Sequence, residues 1–128
     1  QNLPESLAAA HVVIARAGAS TIAELLVAGR PSILVPYPHA MDNHQTANAG
    51  AIEALGGCWL INEPDFTVKA LANLLCSFFP DFKKLQRAAA KSKLIGTANA
   101  AENLANAITA ITNNKPFNDP GKNRRDTI

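Results

Sequence analysis

Aromatic residues are scarce in this chain: five Phe, one Tyr and one Trp among 128 residues. Charge is scarce too, at 17%, while hydrophobic residues reach 48%, a balance that excludes a disordered chain and allows one packed domain. Basic and acidic side chains nearly cancel, 12 against 10, so the net charge of +2 gives no bulk electrostatic case for nucleic acid. The excess is local, with Lys115, Lys122, Arg124 and Arg125 all near the end of the chain. There are only two cysteines, Cys58 and Cys76, far apart and each with apolar neighbours. That pattern reads as reduced core thiols of a cytosolic protein rather than a disulfide framework. No apolar run approaches the ~20 residues that a membrane-spanning helix needs, and no secretory signal is expected. The first residues, "QNLPESLAAAHVVIARAG", already read as mid-architecture, which suggests part of a longer protein.

What is present is alternation. "LPESLAAA" reads as a short helix with Pro4 in its first turn. "HVVIA" (11–15), "PSILVPYP" (31–38) and "CWLIN" (58–62) are short, apolar and β-branched, as expected of strands buried on both faces. Between and after them, helices are expected over 20–28, closed by Gly29, over 43–55, over 65–79 with Asp65 or Thr67 as cap, over 81–95, and over 97–111. Residues 112–128 turn to Asn, Lys, Pro, Gly and Arg and are expected to form a basic, disordered tail. Strand–helix alternation with short links predicts an α/β fold, an open parallel Rossmann-like sheet flanked by helices. Ligands of such sheets sit at the carboxyl ends of the strands. That rule selects two loops, 16–21 and 36–45.

The first loop opens "ARAGASTIAELL" (15–26). Gly18 would allow a tight or positive-φ turn. Small Ala17, Ala19 and Ser20 would let a ligand approach the backbone. The helix start offers unpaired N–H groups and a positive dipole end, which together bind phosphate, and Ser20 and Thr21 add hydroxyls. Glu24 lies one turn further on the same face. A carboxylate repels phosphate but accepts hydrogen bonds from a pair of vicinal hydroxyls, so a nucleotide, with phosphate beside ribose, would suit both. The spacing also fits a plain capping box, Ser20 or Thr21 with Glu24, and on spacing alone both readings stand.

The second loop, "PYPHAMDNHQTAN" (36–48), holds His39, Asp42, Asn43, His44, Gln45 and Asn48. A metal site is disfavoured, because there is no cysteine and the two histidines are five apart across a loop. Gln45 and Asn48 share a helix face, and amides suit sugar hydroxyls. The bland alternative is helix capping by Asp42 or Asn43. Elsewhere, His11 reads as a buried or edge histidine and Trp59 as core. Lys83, Lys84, Arg87, Lys91 and Lys93 recur at helical spacing, which reads first as a solvated face and second as a surface for anionic membrane.

Two motifs, R-A-G-A-x-T-x-x-E (16–24) and P-x-x-H-A-x-D-N-H-Q-x-x-N-A (36–49), make the chain resemble the carboxyl-terminal domain of the MurG family. These are bacterial peptidoglycan N-acetylglucosaminyltransferases of the glycosyltransferase-B superfamily. The resemblance covers roughly residues 3 to 111 and implies that 1–111 is part of a UDP-sugar donor-binding domain. It implies binding of UDP-N-acetylglucosamine, with the diphosphate at the backbone of Ala19, Ser20 and Thr21, the ribose on Glu24, His44 near the diphosphate, and the sugar held by Gln45 and Asn48. It implies inverting transfer to lipid I, giving lipid II, with no cofactor and no metal. The general base, the acceptor site and the part enclosing uracil would belong to regions absent here, so this chain alone is expected to be inactive, and an exposed sheet edge to favour self-association. The expected place is the cytoplasmic face of the bacterial inner membrane, as a peripheral protein that does not bind nucleic acid. Another UDP-sugar transferase of the superfamily, or a donor-binding subunit that needs a separate partner, is the alternative.

Overall fold

The computed structural model describes residues 2–97 and, beyond them, Glu102, Ala105, Asn106, Ile108 and Thr109. The chain alternates helix α1 (Leu3–Ala9), strand β1 (Val13–Ala15), α2 (Ala19–Ala28), β2 (Ser32–Leu34), α3 (His44–Ala54), β3 (Cys58–Leu60), α4 (Val68–Cys76) and α5 (Lys83–Ile95). Single 3₁₀ turns, Met41–Asn43 and Glu63–Asp65, precede α3 and α4. The three strands form one parallel sheet in the order β1-β2-β3, with Ile14 beside Ile33 and Ile33 beside Trp59. This is the expected open parallel α/β architecture. Of the expected helix over 97–111, Thr97 is a bend rather than helical and Glu102, Ala105, Asn106, Ile108 and Thr109 are helical, and the tail 112–128 lies outside the described residues.

Three short strands hold together because β2 is central. Ser32, Ile33 and Leu34 are all buried, and the core gathers Ala17, Ile22, Leu25, Leu26, Leu34, Ala49, Ile52, Cys58 and Ile95 around them. Full burial was expected of all three strands, but it belongs to β2 alone. β1 pairs only with β2 among the described residues, and its Ile14 is 44% exposed. β3 buries Cys58 and leaves Trp59 half-covered, packed against Phe78 with ring centroids 4.6 Å apart and the planes tilted by 51°. His11 lies ahead of β1, exposed rather than within the strand.

The helix ends follow local chemistry. α2 stops at Gly29, whose φ of 63° is left-handed and cheap only for glycine. The N–H groups of Gly29 and Arg30 bond back to Leu26 and Leu25 carbonyls, closing the last turn. Thr67, one of the two candidate caps, caps α4 by accepting from the Ala70 N–H at 3.1 Å. α5 then packs against α2. Ser92 is buried and donates to the Gly57 carbonyl at 2.9 Å, so its hydroxyl is satisfied. Lys93 donates to the Val27 carbonyl at 3.0 Å. Gly96 ends α5 where a Cβ would run into the Leu26 carbonyl.

The cysteines divide. Cys58 is buried as expected, but Cys76 is exposed, and both are free thiols. Burial, with a smaller contribution from Glu53, pushes the Cys58 thiol up to about 12. Its thiolate is then only about one part in ten thousand at pH 8. In the native protein, iodoacetamide followed by peptide mass analysis is expected to label Cys76 and spare Cys58 until denaturant is added. Gly96→Ala is expected to cost about 1–3 kcal/mol, because helix backbone fills the space a methyl would need. Gly50→Ala in α3, where nothing lies within 4 Å, is expected to gain about 0.5–1 kcal/mol. Thermal unfolding that ranked these two variants the other way would refute the α2–α5 packing.

Candidate functional site

Both selected loops lie at the carboxyl end of the sheet, on neighbouring strands. The first leads into α2. Gly18 is the N-cap with φ −65° and ψ 146°, and its carbonyl accepts the Ile22 N–H at 2.9 Å. The positive φ anticipated for Gly18 is absent. Nor does packing require a glycine here: a Cβ would meet only the Thr21 hydroxyl oxygen, at 3.9 Å. With a bare residue at the N-cap, α2 has no side-chain cap. The N–H groups of Ala19, Ser20 and Thr21 therefore point out of the helix start without intrahelical partners.

This decides between the two readings of Ser20, Thr21 and Glu24. A capping box needs its hydroxyl at the N-cap, and Ser20 and Thr21 sit inside the first turn instead. Glu24 is exposed and makes no hydrogen bond or ion pair among the described residues. Its carboxylate stands at the rim of an apolar groove of about 380 Å³ between α1 and α2, lined also by Leu3, Pro4, Leu7, Val27 and Ala28.

The second loop is more tightly built. Asp42 and Asn43 adopt consecutive left-handed conformations, φ 53° and 54°. Short polar side chains tolerate that region best, and held non-glycine residues there are characteristic of functional loops. Neither caps α3 through its side chain, so the capping alternative is not realised. His44 opens α3, exposed, with its Nε2 3.8 Å from Asp42 Oδ2. Gln45 is half-buried, and its Oε1 accepts the Tyr37 N–H at 2.9 Å. That bond ties α3 to the chain leaving β2 and leaves the Gln45 NH₂ as the free donor. Asn48, one turn on, is half-buried with its amide unpartnered among the described residues. No cluster of three or more His, Cys, Asp or Glu stands at metal-binding distance among the described residues.

Arg16 was not singled out by the reading of the sequence, yet it links the pieces. It follows β1 directly. Nη1 approaches the Val35 and Pro36 carbonyls, both at 3.4 Å, and Nη2 donates to Glu63 Oε1 at 2.8 Å. The guanidinium also lies 5.7 Å from the centre of the Tyr37 ring. One side chain thus touches the ends of β1 and β2 and the turn after β3. The signal available in the sequence was a lone cation ending an apolar strand, where a five-donor fork has uncapped carbonyls to serve.

Compared with known proteins, residues 1–119 match the model of the glycosyltransferase family 28 C-terminal domain. The chain is similar to the UDP-N-acetylglucosamine--N-acetylmuramyl-(pentapeptide) pyrophosphoryl-undecaprenol N-acetylglucosamine transferase of Rhodospirillum centenum, 56% identical over 108 residues, covering 84% of this chain and 28% of that protein. The enzyme of the same name from Paramagnetospirillum magneticum is 51% identical over 114 residues, 89% of this chain and 31% of that one. Among solved structures, the crystal structure of Acinetobacter baumannii MurG superposes with a TM-score of 0.68 at 30% identity, over 82% of this chain and 30% of that chain. The chain therefore spans under a third of the length of these relatives.

Proposed function

The chain belongs to the glycosyltransferase family 28 C-terminal domain family, and on that footing we propose that it is the donor-binding part of an enzyme that transfers N-acetylglucosamine from UDP-N-acetylglucosamine to lipid I, giving lipid II. The observation that carries this reading is the start of α2: a bare N-cap, three outward N–H groups and an unpartnered carboxylate one turn on. In the reading, the donor's diphosphate lies against the N–H groups of Ala19, Ser20 and Thr21, where the helix dipole favours negative charge. Glu24 accepts from the two ribose hydroxyls, and the groove beside it has apolar walls for the flat nucleoside. His44 faces the diphosphate from α3. The Gln45 NH₂ donates to a sugar hydroxyl, its carbonyl oxygen being taken by Tyr37, and Asn48 supplies a second amide.

The chemistry asked of these residues is leaving-group stabilisation. As the anomeric C–O bond breaks, charge builds on the UDP phosphate. Preorganised N–H donors that are already fixed in a helix stabilise it without reorganising. The general base and the lipid acceptor site lie, in this reading, in the portion of the enzyme that the chain does not span, and the chain alone is inactive. The whole enzyme works as a peripheral protein at the cytoplasmic face of the inner membrane. No helix among the described residues is long and apolar enough to cross a bilayer. The half-exposed β1 edge favours self-association when the chain is isolated.

Transfer of labelled N-acetylglucosamine to a lipid I analogue by the full-length protein tests the reading. Glu24→Ala removes a charge-assisted pair worth about 1.5–3 kcal/mol, so kcat/KM is expected to fall roughly ten- to a hundredfold. Its thermal stability should hold, since Glu24 has no partner to lose; an unchanged rate would return Glu24 to an ordinary surface acid.

Gly18→Ser separates a structural role for the bare N-cap from a ligand-binding one. A hydroxyl there has space and would accept from the Ser20 or Thr21 N–H, gaining a few tenths of a kcal/mol of stability. It would also occupy the donors intended for phosphate, so UDP affinity measured by calorimetry is expected to fall about tenfold. A variant that is more stable and binds UDP undiminished would show that the helix start is not the phosphate site.

A further inference from the structure

α5 carries five cations and no acidic residue. Three of them, Lys84, Arg87 and Lys91, line an open cleft of about 470 Å³ beside the end of α3 and the start of β3. That volume falls within the range of small-molecule sites, about 300–1,000 Å³. Trp59, the chain's sole tryptophan, lines the cleft from β3, half-covered and packed against Phe78. Glu53 is the one acid among the described lining residues, and its Oε1 already accepts the Leu60 N–H at 2.9 Å. Neither Lys84 nor Lys91 has an ion pair or a side-chain hydrogen bond among the described residues. Arg87 gives Nη2 to Asp81 at 3.3 Å, and its Nη1 and Nε have no partner among the described residues.

We propose that this cleft binds a soluble nucleoside triphosphate, its phosphates among Lys84, Arg87 and Lys91 and its base against the Trp59 indole. A solvated helix face accounts for cations turned to water, but not for three of the five sharing a cleft with the indole. Positions 84, 87 and 91 are spaced by three and four, so like charges stack on one helix face and repel until an anion sits among them. Lys84 and Lys91 are seven residues apart, about 10 Å along the helix axis. A chain of three phosphates covers that span with a lysine at each end. The guanidinium between them is a fork that matches phosphate oxygens. The indole offers a face to any base without reading its sequence of donors and acceptors. An acidic peptide would satisfy the lysines and leave that face uncovered.

The cleft is separate from the candidate donor site. Cys58, the first residue of β3, and Gly56 before it line the cleft, so it lies toward the amino end of the sheet. α5 is fixed there by Ser92, which donates to the Gly57 carbonyl. The candidate donor loops are at the carboxyl end, and none of their residues lines the cleft. The inference therefore stands without the donor reading.

The test is calorimetric titration of the full-length protein with ATP, with UDP present throughout so that a donor-type site is already filled. One further site is expected, and the part of the indole emission that Trp59→Phe removes is expected to change as that site fills. Lys84→Ser and Lys91→Ser are each expected to weaken ATP about tenfold. Lys83→Ser, on the same helix but outside the cleft, is expected to leave the affinity within about twofold. All three lysines are exposed, so melting temperatures should stay near that of the parent. Inorganic triphosphate is expected to bind about tenfold more weakly than ATP, because nothing then covers the indole. UDP titrated alone reports on the donor reading separately, and its affinity is expected to be the same in all three lysine variants. Absence of an ATP isotherm in the parent overturns the proposal, as does an indole emission that ignores ATP. Equal weakening by Lys83→Ser and Lys84→Ser would overturn it too, marking diffuse attraction to a basic helix. So would inorganic triphosphate or an oligoglutamate peptide that binds as tightly as ATP.

Discussion

The carboxyl end of this sheet depends on Arg16. The strands are three residues each, and the carbonyls of Val35 and Pro36, just past β2, lie where the loops must be fixed. Arg16 spans that end, reaching Val35 and Pro36 from one arm and Glu63 from the other, with Tyr37 beside its face. None of these contacts is strong alone. The carbonyl distances are long and the ion pair with Glu63 is about half exposed, so its net worth is a fraction of a kcal/mol up to about 1. What matters is that one planar group has several partners on different elements. It fixes where β2 hands over to the Tyr37 loop, and Tyr37 in turn holds Gln45 through its N–H. A lysine would keep the charge and lose the fork that reaches two elements together.

The start of α2 forgoes the stability that a capping side chain would supply. Ser, Thr, Asp or Asn at Gly18 would cap the helix and contribute roughly a few tenths of a kcal/mol or more. The chain has hydroxyls close by, Ser20 and Thr21, but places them inside the first turn, where they cannot cap. Strain does not require the glycine, because its φ is ordinary, and neither does crowding, because a Cβ would sit in nearly open space. On the proposed reading, a close-approaching ligand accounts for the missing side chain at that point. The left-handed pair Asp42 and Asn43 fits the same pattern at the head of α3. Each loop departs from the most stable local choice, and such departures concentrate where function competes with folding.

Most of the architecture was legible because periodicity and punctuation agreed. Apolar runs of about five residues, Gly29 after α2 and Thr67 before α4 each made one local choice strongly preferred. Reading failed where the outcome depends on neighbours distant in sequence. "HVVIA" is as apolar as "SILVP", yet only β2 is flanked on both sides, so β1 ends with Ile14 in solvent. Cys76 has apolar neighbours but lies on the outer side of α4, which sequence windows do not resolve. In the two candidate loops, the place of Ser20 and Thr21 relative to the helix start was not readable. Their place one and two residues inside the helix start, which no spacing rule fixes to that accuracy, is what rules out the capping box. Arg16 was invisible for a related reason: its partners lie 19 to 47 residues away.

The two ends of the sheet divide the demands on the domain. Parallel strands put every helix start that faces a ligand at the carboxyl end, with its positive dipole and free N–H groups, and that end is correspondingly poor in cations: Arg16 is committed to carbonyls and Glu63. On the proposed reading, a phosphate ligand there would be held by backbone rather than by lysine, and oriented dipoles discriminate by position more than by raw attraction. Lysines are gathered on α5, fastened by Ser92 and Lys93 at the amino end of the sheet and kept apart from the candidate loops by the length of the strands. Had those cations lined the donor loops, they would have bound any polyanion, lipid headgroups included, and competed with the sugar nucleotide.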